Sequence, residues 1–436
     1  MKIVYETNLK TDLITFSLLK ESLKTDYIIN NDSKELKGSL KKALDEFNAY
    51  LDTHSAKKYY ISISSGIIKS RDLENILWSI LKSFNSWDFE KDVQVYITHK
   101  GVKNGFVQDI IHVATKIHHA RTLAMLPANM GYPEAMKKHF QAVFKGVATK
   151  IKVFSRDKLK KRGFNLILSV GDSAKVKHRP LLMTIERLVK NPKKTICFVG
   201  KGITFDSGGL NIKTGRDSDI EKMKYDKIGA IYAAYAMLDL IQKPEFDEFN
   251  FVAILPFAEN AVSDKSTRPG DVIKSYCGKT VEIVDTDGEG RLILADALSY
   301  ACEEYKPDLI IDIATLTGFA ESMSCAHAGY YYTENDFMKK EMEEISFRLG
   351  ERMIPMMTWN DMGNILQSNV ADILNISRKD CNDSFVAAIF MKEFITCTKT
   401  DWLHIDLSHE FDDHVPEGNG IRTMIHIVKK YLASVI

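Results

Sequence analysis

Several features that would settle a function at once are missing from this sequence. No two of its six cysteines form a Cys-X-X-Cys pair, and the first hundred residues hold none. That pattern suggests neither a disulfide framework nor a thiolate metal site. Cysteines such as Cys197, inside the apolar Thr195–Val199 stretch, read as buried free thiols of a reducing compartment. No apolar stretch reaches the ~18 residues of a membrane span. The opening, MKIVYETNLKTDLITF, lacks the apolar run of a secretion signal. The expectation is a soluble, cytoplasmic protein with no membrane partner. The twelve histidines include no His-Glu-X-X-His motif, which argues against a thermolysin-type zinc site. A net charge of +1 leaves no partner to be argued from bulk charge. Internal repeats and low-complexity segments are also absent.

What is present is an ordinary globular composition, 45% hydrophobic and 27% charged over 436 residues, long enough for two domains. In residues 1–105, Tyr59–Ile63 and Val93–Thr98 read as strands and Leu73–Phe84 as an amphipathic helix. Residues 106–126 carry helical periodicity up to Pro127 and read as a connecting helix. From about residue 150, strand candidates alternate with helices. The strands are Leu166–Val170, Thr195–Val199, Phe251–Leu255, Thr280–Val284, Leu309–Ile313 and Trp402–Leu407. The helices are Ile220–Ile241, Leu292–Tyr305, Phe385–Thr396 and Ile421–Leu432. The predicted fold class is α/β: a small N-terminal α/β domain plus a larger C-terminal α/β domain, residues 127–436, with a mostly parallel sheet flanked by helices. Sites in such sheets form beyond the C-terminal strand ends.

Two clusters fall there. Val199-Gly-Lys-Gly-Ile-Thr-Phe-Asp-Ser-Gly-Gly-Leu-Asn-Ile-Lys213 follows a buried strand and sets Lys201, Asp206 and Lys213 among four glycines, where backbone can approach a ligand closely. Asp285-Thr-Asp-Gly-Glu-Gly-Arg291 follows another strand and places Asp287 and Glu289 two apart. Carboxylates so dense repel one another unless a cation sits among them. On the helix from Ile220, Asp226 shares an otherwise apolar face with Met223, Ala230, Ala233 and Met237, a costly place for an unpaired charge. Each piece alone has a plainer reading: a glycine-rich turn, a solvated acidic loop, a helix residue paired with Lys222 or Lys227. Together they point to a metal site.

These segments resemble the signature of the leucyl aminopeptidase family, also called cytosol aminopeptidases. The resemblance extends to Pro127-Ala-Asn, Asp312-Ile-Ala-Thr-Leu-Thr-Gly318, Ser368-Asn-Val-Ala-Asp372 with Asn375, and Trp402-Leu-His-Ile-Asp406, and so spans roughly residues 106 to 436. It implies a two-metal aminopeptidase acting on peptides with a free amino terminus and a neutral or apolar first residue such as Leu. Asp206 and Glu289 would be shared by two divalent ions, zinc, or manganese, cobalt or magnesium at an exchangeable site. Asp287 would complete one ion, and Lys201 and Asp226 the other. The peptide amine would bind one metal, restricting attack to the first bond. Lys213 would hydrogen-bond the developing oxyanion, and Arg291 would anchor a bicarbonate that relays the proton. A homohexamer is the implied assembly.

A rival reading stays open. Residues 150–194 hold 14 Lys or Arg against Asp157, Asp172 and Glu186, as a DNA-binding surface or a solvated basic face would. A catalytically silent assembly protein on the same fold is a third. Within the resemblance, Asp285 stands where the family has Asn, and Gly288 where it has Ala. The position of Asp285 lies near the leaving part of the substrate, so a charge there favours a basic second residue. A partly exposed pair contributes about 1 kcal/mol, or about fivefold in relative specificity. Comparing Leu-Lys with Leu-Glu peptides on the wild type and Asp285→Asn tests this, and an unchanged ratio contradicts it.

Overall fold

The structure is a computed structural model. It describes residues 104–433 apart from 215–218, 319–327, 359, 380 and 408–414; before residue 104 it describes five strands together with Glu74, Asn75 and Trp78. The chain divides into two compact units, Met1–Thr122 and Leu123–Ile436. None of the described helices is long and apolar enough to cross a membrane.

In the first unit, β1 (Lys2–Tyr5), β5 (Gln94–His99) and β4 (Lys58–Ile63) form a parallel sheet in that order. Strands β2 (Ile14–Lys20) and β3 (Leu23–Ile29) pair as an antiparallel hairpin. The two strands expected here correspond to β4 and β5. Of the expected helix Leu73–Phe84, only Glu74, Asn75 and Trp78 are described, and they are helical; the rest lies outside the described residues. Helix α1 spans Asn104–Ala124.

The second unit runs α2 (Pro133–Val143), β6 (Lys150–Ser155), α3 (Arg156–Arg162), α4 (Asn165–Gly171), β7 (Leu181–Arg187), β8 (Thr195–Gly200), β9 (Gly202–Asp206), α5 (Ile228–Ile241), β10 (Asn250–Asn260), β11 (Val272–Lys274), β12 (Thr280–Glu282), α6 (Glu289–Tyr305), β13 (Leu309–Ala314), β14 (Gly329–Tyr332), α7 (Asp336–Leu349), β15 (Met353–Pro355), β16 (Ile373–Leu374), α8 (Asp383–Lys392), β17 (Asp401–Asp406) and α9 (Ile421–Leu432). Nine strands make the central sheet, in the order β15-β14-β17-β13-β8-β10-β7-β6 with β9 also on β10. Its middle, β17-β13-β8-β10, is parallel, and antiparallel pairs β14–β17, β10–β7 and β7–β6 extend it on both sides. The central strands read as near-continuous apolar runs because both faces are covered. Cys197 and Val199 of β8, Val252 and Ile254 of β10 and Ile310 of β13 pack with α4, α6 and α8 in one core cluster. Helix α5 packs on β8, β10 and β13 but shares no residue with that cluster, which puts it on the other face. Every one of its residues is buried, which is why its sequence is apolar all round.

The α/β class holds, but four local expectations are corrected. Leu166–Val170 is not a strand: it is the body of helix α4, whose first amides are held by a buried carboxylate. Asp296 on α6 accepts the Leu166 and Ile167 amides at 2.9 and 3.1 Å and the Tyr276 amide at 2.7 Å. Thr280–Val284 does form a strand, β12, but it belongs to a small separate sheet, β11-β12-β16. The helix from Ile220 is broken: a 3₁₀ turn covers Ile220–Tyr225 and α5 begins only at Ile228. Finally, not all thiols are free. Cys302 near the end of α6 is bonded to Cys397 beyond α8, 95 residues away. Packing of α8 on α6 brings these ends together, and linear spacing carries no sign of it. Cys197, Cys277 and Cys381 are free, and Cys325 lies outside the described residues.

Asp296 yields a stability prediction. Replacing it by alanine leaves three amides without their acceptor, each costing about 1–3 kcal/mol if buried. Asp296→Ala should therefore lose about 3 kcal/mol or more of stability. Burial pushes the Asp296 carboxyl up to about 7, against the three amides that favour ionisation. A carboxyl raised in this way holds its proton more tightly when folded. Its contribution is full below the ordinary carboxylate range and fades as pH rises through about 7. In thermal melts the wild type should lose ground to Asp296→Asn over that window. A pH-independent difference between the two contradicts this.

Candidate metal centre

The strand ends and loops bring the two sequence clusters together. Lys201 is the single residue between β8 and β9, and Asp206 ends β9. Asp206 pairs in register with Asn260 at the end of β10. After Asp206 the chain turns sharply. Gly208 has φ +85°, and a Cβ there would lie 2.4 Å from the Asn211 carbonyl oxygen and 2.9 Å from the Lys213 amide. That turn folds the loop back so that Lys213 reaches Asp206. The second cluster leaves β12 and enters α6, which begins at Glu289 rather than near Leu292, so Glu289 and Arg291 stand in its first turn. The clusters are tied to each other through Thr286, whose hydroxyl donates to the Gly208 carbonyl at 2.7 Å and accepts the Asn211 amide at 2.9 Å.

Asp226 sits at the break between the 3₁₀ turn and α5, with φ −67° and ψ 3°. The face it was expected to share with Met223 and Ala230 is therefore not a continuous helical face. The break aims its carboxylate at Lys201 instead.

Six of the seven charged candidates converge. Lys201 Nζ lies 2.8 Å from Asp226 Oδ2 and 2.9 Å from Glu289 Oε1, and donates to the Thr315 carbonyl at 2.7 Å. Lys213 Nζ lies 2.6 Å from Asp287 Oδ1 and 3.1 Å from Asp206 Oδ2. Ligand oxygens of Asp206, Asp287 and Glu289 all fall within 4.8 Å of one another. Lys201, Asp206, Asp226 and Glu289 are buried, while the Asp287 side chain is 31% exposed and that of Lys213 17%. These two therefore mark the open side.

Four carboxylates face two ammonium groups, and the titration behaviour follows from that imbalance. Burial and then Asp206 push Glu289 well above the usual carboxylate range. The same two causes push Asp287 up to about 7, and burial raises Asp226. Burial also works against the charge on Asp206, yet Lys213 and Lys201 hold its carboxyl below its ordinary value. Both lysines are raised: burial opposes their charge, and the surrounding carboxylates, chiefly Asp226 for Lys201 and Asp206 for Lys213, outweigh it. Negative charge is in excess, and the oxygens are close enough for a cation to take it up. The residues present thus fit divalent metal.

Arg291 is buried beside this group. Its Nη2 donates to Asp383 at 2.7 Å and its Nη1 to the Asn375 carbonyl at 3.2 Å. Its Nε is buried and has no acceptor among the described residues, so a donor remains for a small anion. Asp285 has one carboxylate oxygen accepting the Asp287 amide at 2.8 Å. An asparagine carbonyl could accept the same bond.

Some supporting residues carried no assigned role in the sequence. Thr315 donates its hydroxyl to Asp226 at 2.8 Å, and Asn260 donates to Asp206 at 2.8 Å and to the Thr286 carbonyl at 3.1 Å. Thr315 and Asn375 lay within the resembling runs; nothing in the sequence signalled Asn260. The basic stretch 150–194 does not present one unpaired surface. Of its fourteen Lys and Arg residues, Lys152, Arg156, Arg187, Lys193 and Lys194 are paired with Glu186, Asp172, Asp247, Glu248 and Asp308, and the other nine are exposed, among them Lys158, Lys160 and Lys161 on α3.

Comparisons with known proteins agree on one family. Residues 118–425 match the cytosol aminopeptidase family, catalytic domain. A probable cytosol aminopeptidase of Clostridium perfringens is 30% identical over 96% of this chain and 86% of that protein. One of Desulfotalea psychrophila is 33% identical over 71% of this chain, and the match spans only 62% of that relative's length. Among solved structures, a leucine aminopeptidase of Caenorhabditis elegans superposes with a TM-score of 0.82 at 25% identity, covering 92% of this chain and 83% of that one. A leucyl aminopeptidase of Trypanosoma brucei, solved in complex with actinonin, gives 0.80 at 25% identity, covering 90% and 77%.

A steric constraint on Lys201 is testable. A Cβ on Gly290 would fall 2.5 Å from Lys201 Cε and 2.8 Å from its Nζ. Lys201 is buried and held by three acceptors, so it cannot yield without losing them. Gly290→Ala should bind zinc at least about 10-fold more weakly than wild type in a chelator competition. Unchanged affinity contradicts the placement of Lys201.

Proposed function

The chain belongs to the cytosol aminopeptidase family, and from that premise we propose that it is a two-metal aminopeptidase. It would hydrolyse the N-terminal bond of peptides with a free amino terminus, preferring neutral or apolar first residues such as Leu. The observation that carries this reading is the convergence of Asp206, Asp226, Asp287 and Glu289 around Lys201 and Lys213. Asp206 and Glu289 would be shared by two divalent ions, with Asp287 on the open side and Lys201 and Asp226 on the buried side. Zinc suits both positions, and manganese, cobalt or magnesium the exchangeable one. When bound, such an ion pair acidifies water to a nucleophile at neutral pH and polarises the scissile carbonyl.

The protein's own groups do the rest. Lys201 would act as a neutral amine, its ammonium form disfavoured once cations supply the positive charge. Lys213 stands at the open side and would donate a hydrogen bond to the oxyanion as it develops. Arg291 is permanently charged and cannot serve as a base, but its free Nε suits a small anion such as bicarbonate. Asp383 and the Asn375 carbonyl hold the guanidinium in place for that task.

Chelation should abolish hydrolysis of a leucyl amide, and Zn²⁺, Mn²⁺ or Co²⁺ should restore it. N-acetylated peptides should remain uncut. Lys213→Ala should keep both metals and lose roughly 100-fold or more in turnover, as for other lost oxyanion donors. Full activity in excess chelator overturns the reading, and loss of metal in Lys213→Ala overturns the role given to that lysine.

A further inference from the structure

The loop after β13 grips the buried half of the site, and it is itself gripped from the neighbouring strand. Thr315 accepts Lys201 Nζ at its carbonyl, 2.7 Å away, and donates its hydroxyl to Asp226 Oδ1 at 2.8 Å. It thus touches both residues that distinguish the buried metal position from the open one. The backbone ladder between β13 and β17 ends one residue earlier, where the Leu407 amide donates to the Ala314 carbonyl at 2.7 Å. Beyond that point a side chain takes over. Asp406, the last residue of β17 and fully buried, accepts the Leu316 amide on Oδ1 at 2.9 Å and the Thr317 hydroxyl on Oδ2 at 2.8 Å. Thr317 Oγ1 also lies 2.5 Å from Ser384 Oγ at the start of α8.

We propose that Asp406 is a positioning residue for the Lys201–Asp226 half of the metal site, acting through residues 315–317. Both of its oxygens are used on the two residues that follow Thr315, so the direction in which the chain leaves β13 depends on them. A carboxylate accepts two such bonds in a fixed plane, and charge-assisted bonds of this kind are stronger than neutral ones. If they are lost, Thr315 is free to turn, and Lys201 and Asp226 lose an acceptor and a donor respectively. The open half is held differently. Its own ligand, Asp287, depends on the turn from β12 into α6, which Asn375 secures by accepting the Val284 amide and donating to the Asp285 carbonyl, and Thr286 by donating to the Gly208 carbonyl. A merely structural role for Asp406 would disturb both halves alike, whereas a positioning role weakens one ion and spares the other. This inference rests on the two-metal reading above.

The test compares the full-length wild type with Asp406→Ala, Asp406→Asn and Thr317→Val. Each is loaded with Zn²⁺, titrated with a competing chromophoric chelator, and its metal counted by mass spectrometry. The wild type should hold two ions per chain. Asp406→Ala and Thr317→Val should keep one with wild-type affinity and hold the other about 10–100-fold more weakly, as when metal ligands lose their supporting hydrogen bonds. Asp406→Asn keeps an oxygen for the Leu316 amide and should fall between. Two ions held as tightly as in wild type by the variants overturn the proposal, as does parallel weakening of both. Should Asp406→Ala fail to fold, Thr317→Val and Asp406→Asn decide by the same criteria. A wild type that binds fewer than two ions refutes the two-metal reading itself, and this proposal with it.

Discussion

Four carboxylates crowd against two lysine ammonium groups at the end of a parallel sheet, and the rest of the second unit follows from the need to hold that excess of like charge in place. A buried carboxylate without a partner is expensive, so such a cluster persists only if each group is fixed by a structure stable enough to bear the cost. The central sheet supplies that structure. Its middle strands are covered on both faces, α5 on one and α4, α6 and α8 on the other, and their ends deliver Lys201, Asp206 and the Thr315 loop to adjacent places.

The site is layered around that charge. Lys201 and Lys213 divide the carboxylates between a buried side and an open side. Around them stands a set of neutral groups, Thr315, Asn260, Thr286 and Asn375, which orient the charged ones without adding to the imbalance. Arg291 is neutralised by Asp383 and so leaves the count unchanged, while keeping one donor for an anion. Asp406 lies one layer further out, fixing the loop that carries Thr315.

Much of this was legible in the sequence. The glycines around Lys201 and the spacing of Asp287 and Glu289 announced loops at strand ends, and every charged residue singled out stands in the cluster or beside it. The misreadings share a cause. Leu166–Val170 is apolar enough for a strand, but it is helical and its first amides are accepted by the distant Asp296. Asp226 lies on a helical spacing, but a 3₁₀ turn interrupts the helix there, and its carboxylate meets Lys201. The Cys302–Cys397 pair and the contact of Asn260 with Asp206 join residues far apart in the chain. Periodicity reports local preference, and each of these features is set by a tertiary partner that a local window does not contain.

We propose that this charge cluster holds two cations. Anomalous diffraction from crystals of the full chain equilibrated with Zn²⁺ tests it most directly. Two peaks are expected roughly 3.5–4 Å apart, one beside Lys201 and Asp226 and the other beside Asp287, with Asp206 and Glu289 between them. A single peak, or none, with Lys201 and Lys213 still paired to all four carboxylates, would contradict it.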